Sequence, residues 1–230
     1  MPNASKNVYR KDRIRRLESL SASETRSRLG EREWLTFERL CSLQGLGLQI
    51  CDCADDRLVI DAGCGDQYIR KSTEARGFRY LGIDANDLDF EVDAWGFADA
   101  SAEVVISLAV LEHLRSPTVF LSETYRVLKP GGLVFFSTPN WKYSYRNFYD
   151  DPTHLHPYTS KSVERIFQVH GFEAVSSFPG ARCKPIWYYK GRLRFAKCYW
   201  LLPFRGNIAV APEFLKGRAT SLFVLARKPK

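Results

Sequence analysis

The fold class that this sequence predicts is α/β: a seven-stranded, mostly parallel sheet with helices on both faces. Two observations predict it. From residue 57 onward, short apolar runs alternate with stretches of helical periodicity, and Gly, Pro or Asp punctuates the junctions. The chain has 230 residues, 45% apolar and 26% charged, enough for one domain with a sizeable core.

Taken in order, residues 10 to about 43 are polar with Ile14, Leu17, Leu20, Trp34, Leu35 and Leu40 at helical spacing. They predict one or two helices packed on a domain edge. "RLVIDA" (57–62) is a strand, Gln67 to Gly77 a glycine-closed helix, and "RYLGIDA" (79–85) a second strand. "FEVDAW" (90–95) reads as a weak third strand and "EVVISLAV" (103–110) as a fourth. A helix follows over 116–132, with Pro117 in its first turn and Lys129-Pro130-Gly131-Gly132 at its end. "LVFFSTPN" (133–140) is the fifth strand, 159–172 a helix capped by Thr159 or Ser160, and "EAVSSF" (173–178) and "ATSLFVLARK" (219–228) the last two strands. Residues 1–50 thus read as a helical N-terminal extension. Residues 51–230 form the main domain, with a basic, aromatic insert at about 179–218.

Composition excludes several classes. No apolar run approaches the roughly 18 residues of a membrane span. The polar N-terminus has no h-region, and the six cysteines form neither a CxxC pair nor a disulfide framework, so a reducing cytoplasm is the expected location. Charge is unevenly spread within the net +8: residues 34–180 carry an acidic excess, whereas residues 181–230 hold twelve Lys/Arg against one acid. A basic tail of that kind suits a polyanion or an anionic membrane surface.

Ligands of parallel sheets sit beyond the C-terminal strand ends. "VIDAGCGDQYIRK" (59–71) places a glycine turn there. Gly63 and Gly65 fit the start of a dinucleotide fingerprint, but its third place is Tyr68, and no Walker lysine pattern exists. Asp61 before the turn suits a ligand carrying positive charge better than a pyrophosphate. Asp84, nineteen residues after Gly65, ends the next strand, where an acid can accept from both ribose hydroxyls of a nucleoside.

Together "VIDAGCG", "YLGIDAND", "VDAWGFADASAEVVISLAVLEHL" and "YRVLKPGGLVFFSTPN" resemble the class I S-adenosylmethionine-dependent methyltransferases over roughly residues 57–178, with 219–228 completing the sheet. The "DPTHLHPYT" stretch (151–159) is similar to a segment in the small-molecule branch that includes enzymes of polysaccharide and lipopolysaccharide clusters. The resemblance implies a Rossmann-like sheet with an antiparallel last strand and S-adenosyl-L-methionine as cofactor. It also implies roles. Asp61, Gly63 and Gly65 would wrap the methionine portion, Asp84 would hold the ribose, Asp93 and Ala94 would lie by the adenine edge, and Ser107 would line the cofactor from below. The departure is Gln67, where that family usually has a third glycine.

Methyl transfer to a hydroxyl needs a group that takes the proton, and histidine is the natural one near neutral pH. Of four histidines, His170 reads as a helix C-cap. His113 follows Glu112 just beyond the fourth strand; His154 and His156 lie in the irregular segment after the fifth, beside Asp150, Asp151 and Tyr158. His154 or His156 is the expected base or substrate orienter, with His113 a further candidate. Their i,i+2 spacing among prolines is no metal signature, so no metal is expected. The insert interleaves Trp187, Tyr188, Tyr189, Phe195, Tyr199, Trp200 and Phe204 with Lys and Arg. It fits a lid over the acceptor pocket and an interfacial segment on anionic lipid, and a lipid-linked sugar acceptor would explain both. Nucleic-acid binding is the less favoured reading, since no RNA-binding signature is present. The expected activity is therefore O-methylation of a small or lipid-linked acceptor such as a sugar, in the cytoplasm or peripheral to the inner face of a membrane. The alternatives are an RNA or protein methyltransferase and a non-catalytic cofactor-binding scaffold.

Overall fold

The computed structural model describes residues 22–46, 57–179, 204–205, 216–217 and 220–230. Helix α1 (Ala22–Gln44) precedes β1 (Leu58–Ala62), α2 (Arg70–Glu74), β2 (Arg79–Ile83) and β3 (Ala102–Leu108). A one-turn 3₁₀ helix (Leu111–His113) leads to α3 (Thr118–Val127) and β4 (Leu128–Pro139). Then come α4 (Trp141–Ser144), a second 3₁₀ turn (Phe148–Asp150), α5 (Ser160–Val169) and β5 (Glu173–Pro179). The short pair β6 (Phe204–Arg205) and β7 (Lys216–Gly217) and the long β8 (Ser221–Arg227) follow.

The main sheet has the order β2-β1-β3-β4-β8-β5. The β1–β2, β1–β3 and β3–β4 pairs are parallel, while β8 runs antiparallel to both β4 and β5. The predicted α/β class and the antiparallel last strand are thus present. The sheet has six strands among the described residues where seven were expected, because 90–95 is not a strand. Phe90 and Trp95 are buried, but their rings pack edgewise on Phe120 from a turning chain. The Asp93 carboxylate accepts from the Asp89 amide at 2.7 Å and that of Asp89 from the Glu91 amide at 2.9 Å. Such local side-chain bonds compete with an extended backbone.

Alternation along the strands sorts the core into two layers. Leu58, Ile60, Val105, Val134, Phe136 and Val224 meet α3 and α5 through Phe120, Leu121, Val163 and Phe167. Val59, Val104, Ile106, Phe135, Phe223 and Leu225 meet α1 through Trp34, Phe37, Leu40 and Cys41. Helix α1 was expected at an edge; it covers a sheet face instead. Trp34 and Phe37 are fully buried, Trp34 against Phe78 and Phe37 against Phe135. The Arg76 guanidinium ties the helix down through Glu31 and Glu38, each at 2.7 Å. The helix predicted over 116–132 stops at Val127, and Lys129-Pro130-Gly131-Gly132 belongs to β4. Pro130 bars the residue before it from the helical region, which ends the helix early. The helix predicted from Gln67 is reduced to α2, with residues 66–69 forming turns. Most of the insert lies outside the described residues, as does the segment before residue 22. No described helix is long and apolar enough to cross a membrane.

Candidate active site

The site is assembled at the C-terminal ends of β1, β2, β3 and β4. The Gly63 and Cys64 amides both donate to the Ile83 carbonyl, at 2.8 and 3.1 Å, so the turn after β1 is bonded to the end of β2. This brings Asp84 beside the turn. Gly63 has φ +83°, and a Cβ there would lie 2.2 Å from Val110 Cγ2, so only glycine fits. Gly65, at φ +53°, has open space where a Cβ would stand.

Gln67, where the resemblance would put a third glycine, adopts φ +57°. The backbone therefore keeps a glycine-like conformation although the residue has changed. The left-handed region costs a non-glycine residue about 1 kcal/mol or more. The Gln67 side chain recovers one bond, accepting from Arg70 at 3.2 Å. Gln67→Gly should raise stability by about 0.5–1 kcal/mol, read as a higher midpoint in chemical denaturation. An unchanged or lower midpoint contradicts a strained turn.

Close packing at this turn comes from α1, which the sequence reading did not anticipate. Gly30 abuts the Tyr68 carbonyl so closely that a Cβ would lie 2.2 Å from it. Arg26 reaches Asp66 at 3.4 Å. The first helix thus braces the loop from behind. A single glycine within a helix gives no hint of this in sequence.

Asp61 is buried, and the Tyr80 hydroxyl donates to its Oδ2 at 2.6 Å. Burial pushes its pKa up to about 7; the Tyr80 bond opposes this, and the Asp84 and Asp66 charges add to it. In the ligand-free chain the raised pKa contributes stability that is full below the ordinary value of 3.8 and is lost as pH rises through about 7. A cationic ligand reverses the preference and favours the carboxylate. Affinity for such a ligand should therefore rise as pH increases through about 7, measured by calorimetry between about pH 5.5 and 8.5. A flat profile would show that Asp61 does not change charge on binding.

Asp84 is half-buried. Its Oδ1 accepts from the Ala85 amide at 2.7 Å, and its own amide donates to Asp87 at 2.8 Å, which fixes the carboxylate at the strand end. Asp93 and Ala94 are exposed on the loop beyond β2. Glu91 fastens this loop to the one after the first 3₁₀ turn by accepting from the Arg115 and Ser116 amides. Ser107, next to last in β3, is buried, and its hydroxyl makes no hydrogen bond among the described residues.

The acceptor side begins at Ala109, a non-glycine residue at φ +62° immediately after β3, whose amide donates to the Ser137 carbonyl at 2.9 Å. The buried Glu112 accepts through its backbone carbonyl from the Leu155 and His156 amides, at 2.7 and 3.1 Å. This clamps the 151–156 segment onto the 3₁₀ turn. The His113 and His154 rings consequently face each other, with centroids 4.8 Å apart. Thr153 donates its hydroxyl to Asp151 at 2.6 Å, and both its oxygens lie near His113 Nδ1, at 2.9 and 3.2 Å. Burial works against the Asp151 charge, yet the two Thr153 bonds hold its carboxyl below the usual range. His154 Nδ1 donates to the Phe148 carbonyl at 2.6 Å. His156 is exposed, and its Nε2 donates to the Arg115 carbonyl at 2.7 Å, which sets it apart from the other two. Tyr158 is buried, and its pKa is pushed up to about 12 by burial. His170 bonds the Ile166 carbonyl at the end of α5. Ligand atoms of Glu112, His113 and His154 all lie within 4.8 Å of one another, a grouping different from the His154–His156 pair weighed in sequence.

A mostly parallel sheet with a glycine turn after its first strand and an acid just beyond its second is the pattern of a nucleoside-binding α/β protein. The donor set narrows the ligand. Two carboxylates flank the turn, and no described cation is bonded to either, which fits a positively charged nucleoside and not a pyrophosphate. Comparison with known proteins agrees. A family model described as "Methyltransferase domain" matches residues 36–177. The chain belongs to this family and carries a methyltransferase domain of the S-adenosylmethionine-dependent class. It is 30% identical over 135 residues to a protein of Mycolicibacterium smegmatis described as a probable S-adenosylmethionine-dependent methyltransferase, covering 51% of this chain and 52% of the relative. It is 32% identical over 102 residues to a ubiquinone biosynthesis O-methyltransferase of Pseudomonas entomophila, covering 36% of this chain and 44% of that one. The chain thus spans about half the length of the curated relatives it matches. In fold it is similar to a crystal structure of a SAM-dependent methyltransferase from Archaeoglobus fulgidus, with TM-score 0.55, 19% identity, and 94% and 99% of the two chains covered. A Haemonchus contortus phosphoethanolamine N-methyltransferase 2 in complex with S-adenosyl-L-methionine shares the fold at TM-score 0.53 and 20% identity, with 84% of this chain and 52% of that one covered.

Proposed function

We propose that this chain transfers a methyl group from S-adenosyl-L-methionine to an oxygen of a small or lipid-linked acceptor, a sugar hydroxyl foremost. The observation that carries the reading is the His113–His154 pair, clamped beyond β3 on the same strand edge as the glycine turn. When bound, the cofactor supplies a methyl group on a positively charged sulfur, a carbon already activated toward a nucleophile.

The chain's own residues do the rest. Asp61, Gly63 and Gly65 hold the methionine portion and Asp84 the ribose. Asp93 and Ala94 flank the base, and Ser107 offers its buried hydroxyl from below. Alignment of acceptor and methyl group is worth on the order of 7–11 kcal/mol, and a braced turn contributes by not moving. His113 and His154 orient the acceptor hydroxyl and promote the loss of its proton, and His156 steadies the loop that carries them. Oxygen as the acceptor atom is supported by the ubiquinone biosynthesis O-methyltransferases to which the chain is similar. A sugar is supported by the likeness of "DPTHLHPYT" to polysaccharide-cluster enzymes, and a lipid-linked form by the basic, aromatic composition of the insert. On this reading residues 1–50 extend the methyltransferase domain of 51–230. The protein works in the cytoplasm, touching the inner face of a membrane.

Incubating the protein with radiolabelled cofactor and fractionated cell extract tests the acceptor. Label in the glycan or glycolipid fraction is expected. Label confined to RNA or protein contradicts the reading.

A further inference from the structure

We propose that Glu112, His113 and His154 form a binding site for one divalent cation of the zinc type, which activates the acceptor hydroxyl. The inference rests on the reading of this pair as the acceptor end of the site. Three observations converge. The ligand atoms of the three residues lie within 4.8 Å of one another, and His113 Nε2 is 4.0 Å from Glu112 Oε1. An ion with bonds of about 2.1 Å needs tetrahedral ligands about 3.4 Å apart, so it draws the three inward by roughly an ångström.

The second observation is the tautomer that the surroundings impose. His154 Nδ1 faces the Phe148 carbonyl, which can only accept, so in the neutral ring the proton is on Nδ1 and the lone pair on Nε2, which lies 3.8 Å from Asp151 Oδ2. His113 Nδ1 faces the Thr153 carbonyl and the Thr153 hydroxyl, whose proton is committed to Asp151. Nδ1 therefore donates there too. Both rings carry their lone pair on Nε2, oriented by a carbonyl or a carboxylate-backed hydroxyl, the outer arrangement that supports metal-binding histidines. Third, the carboxylate is itself buried: Glu112 is 1% exposed. A buried anion beside two imidazoles is suited to a cation, and two imidazoles with one carboxylate and an open position match catalytic zinc sites. A cation there would lower the pKa of a hydroxyl that reached it, whose proton would leave to solvent as its oxygen takes the methyl group; the two imidazoles would then hold the cation and not the proton.

The test uses the full chain, stripped with a chelator and titrated with Co²⁺ while visible absorption is followed. One Co²⁺ per chain with tetrahedral d–d bands is expected, displaced by one equivalent of Zn²⁺. His113→Ala and His154→Ala should each abolish the bands while leaving the thermal unfolding midpoint of the metal-free protein near that of the parent. Thr153→Val, which removes the hydroxyl that links His113 to Asp151 and leaves the Thr153 carbonyl beside His113 Nδ1, should weaken Co²⁺ binding by roughly ten- to a hundredfold. Absent bands, or bands that persist in both histidine variants, overturn the cation site. If that happens while His154→Ala still slows methyl transfer, the acceptor-end reading stands and the histidines act directly. If His154→Ala changes neither, both fall.

Discussion

Asp84→Ala is expected to weaken cofactor binding a hundredfold or more while leaving the fold intact. The Asp84 carboxylate is held at the end of β2 by its bond to the Ala85 amide, and the Asp84 backbone amide donates to the Asp87 side chain. It stands beside the turn because the Gly63 and Cys64 amides share the Ile83 carbonyl. Two hydroxyl bonds to a charged acceptor, each worth about 1.5–3 kcal/mol, account for the loss. The side chain is not part of either hydrophobic layer, so the unfolding midpoint should hold steady. Asp84→Asn should lose less, since one acceptor oxygen remains. Calorimetric titration with S-adenosylhomocysteine measures both. Equal affinity in Asp84→Ala and the parent would remove the ribose role.

The second large effect belongs to the acceptor side. His154→Ala should lower turnover by roughly a hundred- to ten-thousandfold, the usual worth of a group that assists proton removal. Cofactor affinity should remain within about twofold, because among the described residues His154 hydrogen-bonds within the 148–154 segment and its ring packs on His113 and Phe148. His156→Ala should cost far less, since its Nε2 is committed to the Arg115 carbonyl at an exposed position. Steady-state rates at saturating cofactor separate the two. A larger loss in His156→Ala than in His154→Ala would reverse the assignment.

What could be read in advance depended on how local the determining forces are. The runs "LVIDA", "RYLGI" and "SLFVLAR" are strands because buried β-branched and aromatic residues leave them no other use, and the structure has them at those places. "FEVDAW" carries the same apolar signal but spends it differently, with Phe90 and Trp95 plugging the space over Phe120 while Asp89 and Asp93 bend the chain. Apolar pattern alone cannot separate a strand from a loop that buries two rings. The role of α1 was equally hidden: its periodicity predicts a helix, not which surface the helix covers.

The site divides in the same way. Gly63, Gly65 and Asp84 stand out because their conformations and places follow from one turn and one strand end. Val110, which makes Gly63 obligatory, and Gly30, which braces Tyr68, act across the fold and leave no trace at their own positions. The same holds for His113 and His154, forty-one residues apart and brought together as Glu112 bonds the Leu155 and His156 amides and Thr153 meets His113. Thr153 escaped notice inside a motif read for its histidines, yet it links Asp151 to His113.

The most direct measurement of the central claim is a calorimetric titration of the full chain with S-adenosylhomocysteine, NADH and ATP in turn. The account predicts one site for the first, a weaker one in Asp84→Ala, and no measurable heat from the other two. Binding of NADH or ATP without S-adenosylhomocysteine would contradict it.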